Sequence, residues 1–254
     1  GASLARPTGL RAGVKRGEPN RRLLCAGIAK LMPNQMIDTD TALELASLLC
    51  SRLCHDLLSP VGALSNGLEL LADEKDPEMR RRCFELLEQS ARASADKLKF
   101  FRLAFGAAGG FGENIPTAEP KALIDALIAG KDRLSVHWQV NADVLPKAAV
   151  KTLLNLAQSA IDALVRGGTV EIAAEMRNDG GRPVAEIVVR GEGPRIAFDH
   201  SVGHALEGRL PVADLSSRTA PAALLAAMAA RLGGKVQYAL GDDALVMGAV
   251  LPVA

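Results

Sequence analysis

The chain has 254 residues, 48% apolar and 23% charged, a globular composition with material for one large or two ordinary cores. Residues 1 to 35 carry seven basic side chains (Arg6, Arg11, Lys15, Arg16, Arg21, Arg22, Lys30) against Glu18, a local +6 that leaves −5 elsewhere when the whole chain is +1. That mildly acidic body lacks the basic footprint of a nucleic-acid binder, and no apolar run reaches the ~18 to 20 residues of a membrane span.

Four cysteines (Cys25, Cys50, Cys54 and Cys83) are too few for a disulfide framework in so long a chain and read as reduced thiols of a cytoplasmic protein. Cys50 and Cys54 stand a helical turn apart beside His55, but no further residue at zinc-ligand spacing completes a metal site. Residues 1–38 are rich in Gly, Pro and Arg without periodicity, and read as a basic, disordered arm. Gly1 stands where an initiator methionine would, and Met32 and Met36 are candidate natural starts. The apolar run 23–29 is too short for an export signal, and Leu24 is bulky where processing before Cys25 would need a small residue.

A first helix is predicted from Thr39 or Asp40, either a suitable cap, to about Ala72. A polar turn, Asp73-Glu74-Lys75-Asp76-Pro77, leads into a second helix with Pro77 suited to its first turn. There Phe84, Leu87, Ala91, Ser94, Leu98, Phe101 and Phe105 recur at alternating spacings of 3 and 4, flanked by Leu86, Ala93 and Phe100. Two antiparallel helices cannot bury stripes this wide against each other alone, so the hairpin is predicted to dimerise into a four-helix bundle.

On the first helix, at ~100° per residue, Leu49, Leu53, Leu57, Pro60, Leu64, Leu68 and Leu71 form one apolar line. His55 lies opposite, on a strip that also carries Ser51, Arg52, Ser59, Gly62, Asn66 and Glu69. A solitary histidine on a polar helix face is by itself an ordinary solvated residue. Pro60 adds a local event: it cannot donate an amide, so the carbonyl of Asp56 loses its helical partner and a kink is expected just past His55.

The string His55-Asp56-Leu57-Leu58-Ser59-Pro60 resembles the phospho-accepting histidine box of dimeric histidine kinases, with Ser59 where Asn or Thr is usual. Over residues 48–71 the chain, LLCSRLCHDLLSPVGALSNGLELL, is most similar to the ChpT-type histidine phosphotransferases of alphaproteobacterial phosphorelays.

Beyond a glycine-rich boundary, residues 106–112, the pattern changes. Helices are predicted at 119–130, 146–166 and 219–232, with strands at 134–140, 168–177, 183–190, 235–240 and 244–251. This order, over residues 113–254, resembles the Bergerat-type ATP-binding domain of histidine kinases, but in degenerate form. Helix 153–163 resembles the N-box, with Ser159 at the position of its second asparagine. Gly191 stands where the resemblance would place the adenine-reading aspartate, and Arg195 replaces a glycine of the same box. Ser217-Arg218-Thr219-Ala220-Pro221 replaces the glycine-rich phosphate loop. Three losses of order 1 to 3 kcal/mol each would weaken nucleotide binding by several orders of magnitude, so the domain is expected to be a pseudo-ATPase with no cofactor or metal of its own. His200 and His204, four apart, and His137 beside Trp138 read as surface or satisfied histidines. Asp125, Asp162 and Glu171 form no paired-carboxylate pattern and read as solvated faces.

The resemblance implies a homodimeric histidine phosphotransferase of two-component signalling and cell-cycle control. His55 would take a phosphoryl group from a receiver domain of a hybrid histidine kinase and pass it to the receivers of response regulators, Mg2+ arriving with the receiver. Asp56 would orient His55 or be a relic of autokinase chemistry. Arg52, Ser59, Gly62 and Asn66 share the histidine's strip, and Ser59 and Gly62 leave room for a receiver helix. Counting outward from the turn sets Arg92, Lys97 and Lys99 near the transferred phosphate, and Arg190 and Arg195 are candidate contacts for an acidic receiver. The alternatives are an ATP-dependent histidine kinase with a diverged nucleotide site and a non-catalytic dimeric scaffold.

Overall fold

The computed structural model describes residues 39–106 and 113–253. The expected basic arm at 1–38 and boundary residues 107–112 lie outside the described residues. Helix α1 spans Thr39–Asp73 and α2 spans Pro77–Ala104, packed side by side as an antiparallel hairpin. The turn is built from local donors and acceptors. Glu74 Oε1 accepts from the amides of Lys75 and Asp76, both at 2.8 Å, and the Asp76 carboxylate caps α2 through the Glu78 amide. Arg80 closes the end of α1 by donating to the carbonyls of Leu71 (3.2 Å) and Glu74 (2.9 Å). A Cβ on Gly67 would meet Leu87 Cδ2 at 2.9 Å, so glycine sets the approach of the helices there.

The C-terminal domain runs β1 (Asn114–Pro116), α3 (Ala118–Ile128), β2 (Leu134–Val140), β3 (Val144–Pro146), α4 (Lys147–Ala163), β4 (Gly168–Asp179), β5 (Arg182–Glu192), α5 (His200–Leu206), α6 (Ala220–Arg231), β6 (Lys235–Leu240) and β7 (Ala244–Pro252). Five strands form one sheet in the order β2-β4-β5-β7-β6, with β2 parallel to β4 and the other neighbours antiparallel; β1 and β3 pair separately. Alternation decides the faces. Val170, Ile172, Ala174, Ala185, Ile187, Val189, Leu245, Met247, Ala249 and Leu251 are buried beneath the helix layer. The opposite face carries cross-strand ion pairs, Arg177–Glu186 at 2.6 Å and Arg190–Glu171 at 3.6 Å. This is the α/β sandwich of the Bergerat type, joined to a long helical hairpin.

Helix α4 is the centre of the core, with Leu153, Leu154, Leu156, Ala157 and Ala160 fully buried. The end of α2 enters the same core through Phe100, Phe101, Leu103 and Ala104, and α1 touches α6. The heptad stripe of α2 is therefore divided. Ser94 and Phe101 are buried and Leu87 and Phe105 half-buried, but Ala91 is exposed, as are Phe84 (55%) and Leu98 (50%). The C-terminal domain covers only the last turns of α2, and α1 covers one side of the rest.

Candidate functional site

Helix α1 continues through Pro60 without a break. The carbonyl that Pro60 leaves unpaired finds a side-chain donor: Lys97 Nζ, from α2, donates to the Asp56 oxygen at 2.7 Å. A charged donor on a stranded carbonyl is a strong hydrogen bond, and it fixes the backbone one residue from His55.

The His55 side chain is 83% exposed, on the side of α1 turned away from the hairpin seam. Its Nδ1 lies 3.1 Å from Asp56 Oδ1. The other carboxylate oxygen of Asp56 accepts from Arg52 Nε at 2.7 Å, which leaves the Asp56 side chain only 15% exposed. Arg52 in turn donates from Nη2 to Asp162 Oδ2, 3.2 Å away on α4. Burial alone would lower the Arg52 pKa, but the Asp56 hydrogen bond and the two carboxylate charges raise it above its ordinary value. A carboxylate only accepts, so a hydrogen bond to Asp56 uses a proton on Nδ1, and in the neutral ring that tautomer leaves the lone pair on Nε2. The ring is thus open to solvent, with a fixed carboxylate beside its Nδ1.

Around it, Ser51, Cys54, Ser59 and Asn66 are exposed, and no atom comes within 4 Å of a Cβ placed on Gly62. Leu58, a turn beyond the histidine, is 70% exposed and Val61 is also open. This apolar addition escapes a reading that sorts the helix into a polar and an apolar face. Among the three cations expected near the phosphate, Lys97 reaches α1 at the Asp56 carbonyl, whereas Arg92 pairs with Glu88 and Lys99 with Asp96 along α2 itself. Arg195 is exposed. Arg190 is held between Glu171 and Glu192 on the outer face of the sheet. Asp162, read as part of a solvated face, is instead the C-terminal domain's contact with the histidine network. The link spans 110 residues of sequence, beyond any local spacing pattern.

At the positions that resemble a kinase nucleotide site, several side chains bond within the protein. The Ser159 hydroxyl donates to the Asn155 carbonyl at 2.9 Å, and Asn155 Nδ2 donates to Lys151 (2.8 Å) and to Ala104 at the end of α2 (3.4 Å). Gly191 faces α4, where a Cβ would already touch Ala160 at 3.5 Å and Leu164 at 3.7 Å. The segment before α6 is pinned by Ser216 and Thr219, which bond each other's main and side chains, and by Arg218 against Asp199 at 3.6 Å. Asn155 Oδ1, by contrast, is buried without a hydrogen-bond partner. His137 and the histidines of α5, His200 and His204, are surface residues or nearly so. Among the described residues no group of three His, Cys, Asp or Glu could hold a metal ion, and no helix is long and apolar enough to cross a membrane.

The family model of the histidine phosphotransferase C-terminal domain matches residues 117–244, half of the chain. The protein phosphotransferase ChpT of Brucella abortus (strain 2308) is 39% identical over 137 residues, 54% of this chain and 64% of that protein, so the match spans under two thirds of the relative. A solved bacterial phosphotransferase is 28% identical and superposes with a TM-score of 0.69, covering 85% of this chain and 98% of that one. A superposition of that extent runs past the C-terminal domain into the hairpin. Matched as a domain in one half and as a structure across nearly all that is described, the chain belongs to the histidine phosphotransferase family.

Proposed function

We propose that this protein is a homodimeric phosphoryl carrier of a phosphorelay, acting in the cytoplasm, with His55 as the catalytic residue. The observation that carries the reading is the geometry of that ring, exposed at 83% with Nδ1 held by Asp56. The Nε2 lone pair attacks the phosphorus of a receiver's aspartyl phosphate in line; the P–N bond forms as the P–O bond breaks, and the electron pair returns to the receiver carboxylate. Asp56 balances the positive charge that the ring acquires, and the reverse sequence delivers the group to a second receiver. Mg2+ belongs to the receiver and neutralises the phosphoryl oxygens there. Ser59, Gly62 and Asn66, with Leu58 and Val61, offer the docking strip, and a hybrid histidine kinase and response regulators supply the receivers.

Dimerisation is supported by the open groove between the helices. Leu64, Leu68, Phe84, Leu87 and Ala91 line it, and Leu68 and Phe84 are more than half exposed. Contiguous apolar surface of this kind marks an interface. The absence of ATP chemistry is supported by Ser159, whose hydroxyl donates to the Asn155 carbonyl, and by Gly191, which offers no carboxylate to an adenine.

The test is a reconstituted relay of a phosphorylated receiver, this protein, and a second receiver. Label should pass through the wild type and stop with His55→Gln, and labelled ATP alone should leave the protein unlabelled. Transfer that persists without His55 overturns the reading.

A further inference from the structure

The carboxylate of Asp162 comes from the domain that has lost its nucleotide contacts, yet it ends in a network on the phospho-accepting histidine. Three contacts connect them: Asp162 Oδ2 to Arg52 Nη2 (3.2 Å), Arg52 Nε to Asp56 Oδ2 (2.7 Å), and Asp56 Oδ1 to His55 Nδ1 (3.1 Å). The guanidinium is planar and rigid, so anchoring it at Nη2 and Nε fixes its plane, and the plane fixes which oxygen of Asp56 remains for the ring.

As a stability device, Asp162 is poorly placed. It occupies the last turn of α4 (Lys147–Ala163), where the helix dipole disfavours an anion. Half of its side-chain area is open to solvent, so the pair with Arg52 adds little to folding. The remainder is crowded enough that desolvation raises its carboxyl pKa despite the pull of Arg52. An unfavourable acid held against a half-buried arginine calls for a role other than stability.

We propose that Asp162 is a positioning residue. Acting through Arg52 and Asp56, it holds the His55 ring with the proton on Nδ1 and Nε2 presented to the incoming phosphoryl group. The pseudo-ATPase domain thus orients the histidine of its own chain. The inference deepens the carrier reading given above and rests on it for its consequence in transfer, but the ring state is measurable without any partner.

The experiment uses the full chain labelled with 15N, whose four histidines are separable. A long-range proton–nitrogen correlation at alkaline pH reads the tautomer of each, and His55→Gln assigns the signal. In the wild type, His55 should be mainly the Nδ1–H form. In Asp162→Ala and in Arg52→Gln it should revert to the Nε2–H form that a free imidazole favours, with the amide spectrum otherwise retained; Asp162→Glu should restore the wild-type state. In a relay, Asp162→Ala should slow transfer on the order of tenfold with receiver affinity unchanged. A wild-type ring in the Nε2–H form, or a tautomer indifferent to Asp162→Ala in folded protein, overturns the proposal. If His55→Gln stops transfer while Asp162→Ala alters neither tautomer nor rate, the carrier reading stands and this inference falls. If the tautomer follows Asp162 but His55 accepts no phosphoryl group, the ring-positioning role stands and the carrier reading falls.

Discussion

Pro60 and Lys97 form a compensating pair at the level of single residues. The proline removes the amide that would have bonded the Asp56 carbonyl, and the ammonium of Lys97 replaces it at 2.7 Å. Hydrogen bonds to charged groups contribute about 1.5 to 3 kcal/mol, and this one is partly buried. Lys97→Met should therefore lower the unfolding free energy by about 1 to 3 kcal/mol in urea titrations. The cost should shrink in a Pro60→Ala background, where a backbone amide again reaches the carbonyl; equal costs in the two backgrounds would remove the pairing from the account. The stranded carbonyl was legible in sequence, because a mid-helix proline always creates one. Its partner was not, since counting along an antiparallel hairpin names several cations and only side-chain direction chooses among them. The same limit hid Asp162, whose link to Arg52 depends on how a distant helix lands on α1.

Among elements, α5 shows a cap whose strength depends on pH. The Asp199 carboxylate accepts from the Ser201 amide at 2.9 Å, and that backbone hydrogen bond, with a smaller contribution from Arg218, holds its carboxyl below the usual value. A depressed folded pKa means the stabilisation is fully present above the unfolded value near 3.8 and fades as the pH falls through the folded one. Because the site is exposed, Asp199→Ala should cost only about 0.5 to 1 kcal/mol of local stability at neutral pH. Amide exchange across residues 200–206 should show that difference, and it should vanish in strong acid; a difference that persists there would mean the aspartate acts through something other than its charge. The regular elements were readable wherever a period is sustained: β2 and β6 have the bounds expected from alternation, and α3, α4 and α6 fall within a few residues of theirs. β1 and β3, three residues each, carry no period to read and exist by pairing with one another. The heptad of α2 gave the right helix, and Phe84 and Leu98 stay exposed in the single chain, as a stripe too wide for the hairpin to bury should.

For the whole molecule, α4 joins the two regions. Lys151 donates to the Gly106 carbonyl at 2.6 Å and Asn155 to that of Ala104, so residues of α4 cap the end of α2. Asp162, at the opposite end of α4, meets α1. Phe100, Phe101, Leu103 and Ala104 share the core of the C-terminal domain, which leaves no independent core at that end of the hairpin. Hairpin and domain should therefore unfold together. Trp138, the single tryptophan, reports on β2 of the C-terminal domain, while the far-ultraviolet dichroism is weighted by the 35 and 28 residues of α1 and α2. The two signals should trace one coincident urea transition. If two chains bury the Phe84 and Leu68 groove between them, the midpoint should also rise with protein concentration, as mass action requires when folding and association are coupled. Phe84→Glu places a charge in that groove without touching the domain core, so it should lower the midpoint, abolish its concentration dependence and halve the mass in sedimentation. Separate transitions for the two signals would mean that α4 does not couple the regions, and a concentration-independent midpoint in the wild type would mean that the exposed stripe is not closed by a second copy.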